Sequence, residues 1–210
     1  AFHGRTLGAL SAVNNKKYSK QFEPLLPGFI NIPFNNIEEL NKNINENTAA
    51  IMIEPIQGEG GVRPASLSFL EKIRKICDDN DIIFFLDEVQ SGFGRTGDFF
   101  AHQHAGIKAD IITMAKGMGN GFPIGGIILS PNFKASFGLL GTTFGGNHLA
   151  CVAYCSVMDI IEKEKLLDNA IKQGNYLIQE LSKIDSVETI TGRGLMLGIV
   201  VKGDGKALRS

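Results

Sequence analysis

Long apolar runs, an excess of basic charge and cysteine are all scarce in this sequence of 210 residues. No apolar run approaches the ~20 residues of a membrane-spanning helix, so no membrane partner is expected. Lys and Arg total 21 against 22 for Asp and Glu. Binding to a phosphate backbone usually leaves a basic excess, so nucleic acid is not the expected partner. Cys77, Cys151 and Cys155 are too few and too scattered for a disulfide framework or a zinc cluster. A reducing, cytoplasmic setting is the expectation. The first residues, Ala-Phe-His-Gly-Arg, carry neither the charged start nor the apolar core of a secretory signal. What remains is 43% hydrophobic and 20% charged, which suits a globular chain with a real core. The missing initiator Met, and an end at Leu-Arg-Ser soon after an apolar run, read as a piece of a longer protein.

Apolar runs at 49–53 and 82–86 have the length of buried strands, the first closed by Glu54-Pro55 and the second by Asp87. Between them, Leu67, Leu70, Ile73, Ile76 and Cys77 follow helical spacing, and Ser68 with Glu71 offers a capping box. Ile111-Ile112 and residues 124–129 are further strand candidates around the glycine-rich stretch 117–126. Residues 147–181 read as helical, in two pieces or broken near 166–169. A last strand at 195–201 follows the turn Gly192-Arg193-Gly194. The Asn-rich stretch 35–47 reads as a solvated helix and linker. Wholly apolar strands separated by helices predict an α/β fold with a mainly parallel sheet. Ligands of such sheets gather at the carboxyl ends of the strands. That rule puts Glu54, Asp87 and the loop carrying Lys116 near one another.

Gly92-Phe-Gly-Arg-Thr-Gly97 fits the glycine fingerprint of dinucleotide-binding folds. The fingerprint requires a helix opening onto pyrophosphate and an acid ending the next strand. Here the following segment is a poor crossover helix, and Asp110 precedes its strand. A tight surface loop is the better expectation. Asp87 ends a buried strand, where a carboxylate needs a cationic partner or serves as a cap. A pyridinium nitrogen would be such a partner. Lys116 follows an apolar strand and precedes small residues, so a pocket could hold it and make its amine nucleophilic. His102 and His104 are two apart with no third ligand close in sequence, which argues against a metal site. The run Gly141-Thr-Thr-Phe-Gly-Gly-Asn147 could receive a phosphate or merely cap the helix behind it.

Five stretches together resemble the class III (subgroup II) aminotransferases of fold type I. They are Phe2-His-Gly-Arg-Thr-Leu-Gly-Ala, Glu54-Pro-Ile-Gln-Gly-Glu-Gly-Gly, Leu86-Asp-Glu-Val-Gln-Ser-Gly-Phe-Gly-Arg-Thr-Gly, Ala115-Lys-Gly-Met-Gly-Asn-Gly-Phe-Pro-Ile-Gly and Gly141-Thr-Thr-Phe-Gly-Gly-Asn. They occur in the family's order across nearly the whole chain. Residues 2–12, 22–29 and 121–125 resemble the acetylornithine branch in particular, while His148 replaces the proline common after Asn147.

The resemblance implies a large domain binding pyridoxal 5'-phosphate over residues 1–160 and the start of a smaller C-terminal domain over 161–210. It implies Lys116 as the Schiff-base lysine and proton shuttle, Asp87 on the pyridinium nitrogen, Gln90 on the phenolic oxygen and Phe2 stacked on the ring. It further implies Arg5 on a substrate carboxylate, Glu54 close to the ring, and Thr143 reaching the cofactor phosphate of the second subunit of a homodimer. Glu59 would pair with an arginine later than this chain extends. The implied substrates are N-acetylornithine, as a small-molecule amino donor, and 2-oxoglutarate, in arginine biosynthesis. Related ω-amino donors (ornithine, succinylornithine, 4-aminobutyrate) are the alternative. The 210 residues alone are expected to be inactive, through loss of the family's phosphate loop and late arginine.

Overall fold

A computed structural model describes residues 1–13 and 15–203. The chain begins with two short helices, α1 (Leu7–Ser11) and α2 (Lys16–Ser19). The Asn-rich stretch forms α3 (Ile37–Asn43), capped by the Asn36 side chain on the Glu39 amide. Next come β1 (Ala50–Ile53), a small antiparallel pair β2 (Ile56–Gln57) and β3 (Arg63–Pro64), and helix α4 (Leu67–Asn80). Strands β4 (Ile83–Asp87), β5 (Ile111–Met114) and β6 (Gly126–Leu129) follow. Helices α5 (His148–Lys163) and α6 (Leu166–Leu181) lead to an antiparallel hairpin, β7 (Val187–Arg193) and β8 (Met196–Val201).

The main sheet has the order β1-β4-β5-β6, with β1, β4 and β5 parallel and β6 antiparallel at one edge. This is an α/β fold with a mainly parallel sheet. Helix α4 covers the sheet with Phe69, Leu70, Ile73 and Cys77, spaced to fall on one stripe. They meet Ile53, Phe84 and Leu86 of the strands and Leu40 of α3 in one buried cluster. Each fully buried Leu, Ile or Phe there contributes roughly 1.5–3 kcal/mol. Burial also pushes the Cys77 thiol up to about 12, so it stays protonated and behaves as a small hydrophobe. No helix among the described residues is long and apolar enough to cross a membrane.

Four local details differ from expectation. The cap of α4 is Ser66, whose hydroxyl accepts from the Phe69 amide, and Ser68 already lies inside the helix. The helical stretch after Asn147 is two helices, as expected, but the break falls at Glu164 and at Lys165, the latter at a left-handed φ of 51°, and not at 166–169. The strand after Gly194 has an antiparallel partner, β7, that the sequence reading did not assign. The segment 92–97 forms the expected tight turns, yet it is largely buried. A Cβ at Gly94 would lie 2.6 Å from Leu167 and one at Gly97 2.5 Å from Ile171, so α6 roofs this loop.

Candidate active site at the strand ends

Parallel strands in hydrogen-bonded order deliver their C-terminal residues to one edge of the sheet. Ile53 of β1 pairs with Leu86 of β4, and Asp87 pairs with Thr113 of β5. Glu54 therefore follows β1, Asp87 ends β4, and Lys116 follows β5 by two residues, all at the same end. By the carboxyl-end rule this is the edge where a ligand of such a sheet would sit.

The segment before α1 lies across these ends. The Phe2 amide donates to Glu54 Oε1 at 2.9 Å, and His3 Nδ1 lies 2.8 Å from Asp87 Oδ2. The His3 and Asp87 side chains are only 3% and 7% exposed, so this contact is shielded from water and from salt. The other Asp87 oxygen, Oδ1, accepts from the Val89 amide at 3.0 Å. Burial pushes the Glu54 carboxyl above its ordinary value. The Phe2 amide and His3 partly offset that rise, and Asp87 adds to it.

Lys116 has a φ of 49° and opens a short 3-10 turn, Lys116–Met118. A left-handed non-glycine residue costs about 1–2 kcal/mol, and such strain concentrates at functional sites. The Lys116 side chain is exposed, not enclosed as a pocket would have it, and its Nζ donates to Gln90 Oε1 at 3.2 Å. Gly58 gives the Gln90 amide its room, since a Cβ at that position would overlap it. Arg5 is exposed at the rim, its guanidinium 4.3 Å from the Tyr18 ring centroid and 5.6 Å from that of Phe2.

Two further expected site residues are exposed. Glu59 is exposed at the tip of the turn joining β2 and β3. Thr143 is exposed in a segment whose Phe137, Leu140 and Phe144 also face solvent. Asn147 acts as a plain helix cap, accepting from the Ala150 amide. A cleft of about 670 Å³ runs along edge strand β1, and His3, Glu54 and Gln57 contribute to its lining; Asp87, Gln90 and Lys116 do not.

Sequence reasoning missed two residues. His3 gave no signal of its own beside the aromatic that was singled out. Glu88 was quoted only as part of a motif, yet it is fully buried. Its carboxylate takes the Ser91 hydroxyl at 2.5 Å, the amides of Ala101 and His102 at 3.1 and 2.9 Å, and His102 Nδ1 at 2.9 Å. That network ties the loop after β4 back onto the strand end. The two histidines considered for metal are thereby engaged, His102 with Glu88 and His104 with Asp98 and Thr96.

A family model, "Aminotransferase class-III", matches residues 1–208. The chain belongs to the class-III aminotransferases. Acetylornithine aminotransferase of Aquifex aeolicus is 48% identical over 208 residues, which are 98% of this chain and 54% of that protein. The class-III chain also resembles the ornithine aminotransferase of Toxoplasma gondii, whose structure holds PLP at partial occupancy in its active site. There the TM-score is 0.87 at 30% identity, covering 95% of this chain and 49% of that one. Acetylornithine aminotransferase from Elizabethkingia anophelis is similar at a TM-score of 0.78 and 34% identity, covering 88% and 51%. This class-III chain spans about half the length of the curated relatives it matches.

The donor set fits a pyridoxal-type cofactor. Each Asp87 oxygen already accepts one hydrogen bond and retains a lone pair for a ring N–H. A primary amine at Lys116 and an aromatic ring at Phe2 flank the same strand ends.

Proposed function

We propose that the complete protein transfers the δ-amino group of N-acetylornithine to 2-oxoglutarate with pyridoxal 5'-phosphate, in arginine biosynthesis in the cytoplasm. The observation that carries this reading is the convergence of Glu54, Asp87 and Lys116 at one end of three adjacent parallel strands. The acetylornithine aminotransferases among its relatives support the donor.

When bound, the cofactor supplies an electron sink for the carbon that loses its proton. Asp87, whose carboxylate His3 and the Val89 amide hold in one orientation, would take the ring nitrogen. Lys116 would be the nucleophile that retains the cofactor, and its Nζ would carry the proton to and from the substrate carbon. Gln90, which accepts from that Nζ, orients the lysine and would take the ring oxygen. Phe2 would stack on the ring. Arg5 clamps a substrate carboxylate with its planar fork, and Glu54 and Glu59 receive the polar parts of the donor. Thr143 serves the phosphate held by the second subunit of a homodimer. Residues 1–160 form the cofactor-binding domain and 161–210 begin the smaller one.

The likeness to an ornithine aminotransferase favours a second reading, in which free ornithine is the donor. The test is a donor panel on the complete protein, with N-acetylornithine, ornithine, succinylornithine and 4-aminobutyrate against 2-oxoglutarate. A kcat/KM at least about tenfold higher for N-acetylornithine, equivalent to ~1.4 kcal/mol at the transition state, supports the first reading. Preference for ornithine selects the second. Lys116→Ala should abolish turnover with every donor, and retained turnover would remove Lys116 from the mechanism.

A further inference from the structure

The turn that carries Glu59 is backbone-strained. Gly60 and Gly61 take φ of 91° and 106°, and Val62 follows at 48°. A β-branched residue in the left-handed region is an outlier, and it persists only where its surroundings over-determine it. The turn's own bonding is thin, for the Val62 amide reaches Gly58 O at 3.4 Å. The constraint comes instead from a segment about 130 residues later. Thr191 Oγ1, in β7, donates to Val62 O at 2.7 Å. Gly198, the partner of Thr191 in β8, lies so close that a Cβ there would be 2.8 Å from Gly61 O and 2.9 Å from Val62 Cβ. Met196 of β8 packs with Ile56 of β2 and Ala101 beneath the same turn, with Val62 against them. The hairpin therefore grips the turn at its strained residue and at the Gly61 carbonyl, while Glu59 remains exposed at the tip.

We propose that Thr191 is a positioning residue for Glu59, acting through the Val62 carbonyl to fix where the turn presents that carboxylate to the substrate. The proposal rests on the reading of Glu59 as a substrate-binding group. A hydroxyl suits this task because its bond length and direction are narrow, and its loss removes no contact made by Asp87 or Lys116. The expected phenotype is a change in KM, with cofactor retention and kcat preserved.

The experiment uses the complete protein loaded with pyridoxal phosphate and compares Thr191→Val, Thr191→Ala, Thr191→Ser and Glu59→Gln. Hydrogen exchange at the amides of residues 58–62 should rise about tenfold in the Val and Ala variants, the signature of local opening. KM for the amino donor or the oxo acid should rise by about three- to tenfold with kcat within about twofold, the pattern of lost ground-state binding. Thr191→Ser should restore both. Unchanged exchange in the Val and Ala variants overturns the proposal. So does an unchanged KM in those variants while Glu59→Gln shifts it. If Glu59→Gln leaves both KM values unaltered although exchange rises, the substrate-binding reading of Glu59 fails and the proposal goes with it, whereas the mechanical grip of the hairpin stands.

Discussion

Replacing Gly58 by Ala adds one methyl group where the Gln90 amide already sits, with Nε2 2.5 Å from the new Cβ and Cδ and Oε1 nearer still. The backbone should tolerate the change, because Gly58 is not among the residues with positive φ. A compatible Gly→Ala replacement stabilises by about 0.4–1 kcal/mol through the unfolded chain. Gln90 is exposed and flexible, so it can swing away, but it then releases Lys116 Nζ. A bond of this kind to a charged group is worth ~1.5–3 kcal/mol when shielded, and exposure reduces that to the order of 1 kcal/mol. Losing it, together with the contact proposed for Gln90 on the cofactor ring, should weaken pyridoxal phosphate binding by about ten- to thirtyfold. Gln90→Ala should do the same by a different route. The double variant should be no worse than either single one, because both act on one amide. Absorbance titration of the complete protein with pyridoxal phosphate measures the affinities, and urea unfolding measures the fold. Multiplicative losses in the double variant, or a destabilisation by Gly58→Ala above about 2 kcal/mol, would refute the reasoning.

Glu88→Ala should destabilise the fold by about 3–5 kcal/mol, since it strands several buried donors; a urea midpoint within error of the parent would count against the network. Glu54→Gln should be pH-dependent. The raised folded value means that ionising Glu54 opposes folding, so its stabilising share is complete below the ordinary 4.5 and lost as pH rises through the folded value. The variant's thermal midpoint should therefore improve relative to the parent from about pH 4 to about pH 8, and a constant difference would contradict it. His3→Ala removes one of the two donors that fix Asp87 and should lower kcat for every donor alike by about ten- to a hundredfold, with little change in KM. Steady-state kinetics with two donors checks this, and a donor-selective KM effect would place His3 elsewhere.

The strands were legible because burial on both faces writes them as continuous apolar runs, as at Ile51-Met52-Ile53 and Phe84-Phe85-Leu86. Their carboxyl ends then located Glu54, Asp87 and Lys116 without any contact being visible. Strand β7 was illegible for the opposite reason. Its residues Glu188 and Thr189 are exposed and it pairs with a single neighbour, so it carries no apolar signature. The burial of loop 92–97 comes from Leu167 and Ile171, more than 70 residues further along, and local pattern could not register it. His3 was hidden likewise, since its meaning lies in a partner 84 positions away. The expected cap Ser68 lies inside α4 and Ser66 caps it, a shift of two residues that a local pattern with two serines does not resolve.

Adjacent strands of a sheet stand about 4.8 Å apart whatever side chains they carry. Glu54, Asp87 and Lys116 follow three consecutive strands, so their separation is set by a backbone ruler and not by the stretches of chain joining them. A protein engineer seeking a new amino donor should therefore vary the side chain at Glu59, exposed at the tip of its turn, and leave alone both the strands and the hairpin-gripped Gly61 and Val62. On the reading proposed above, the residues that would hold the cofactor stand at strand ends whereas Glu59 stands on a turn, so its side chain can be changed while theirs are kept.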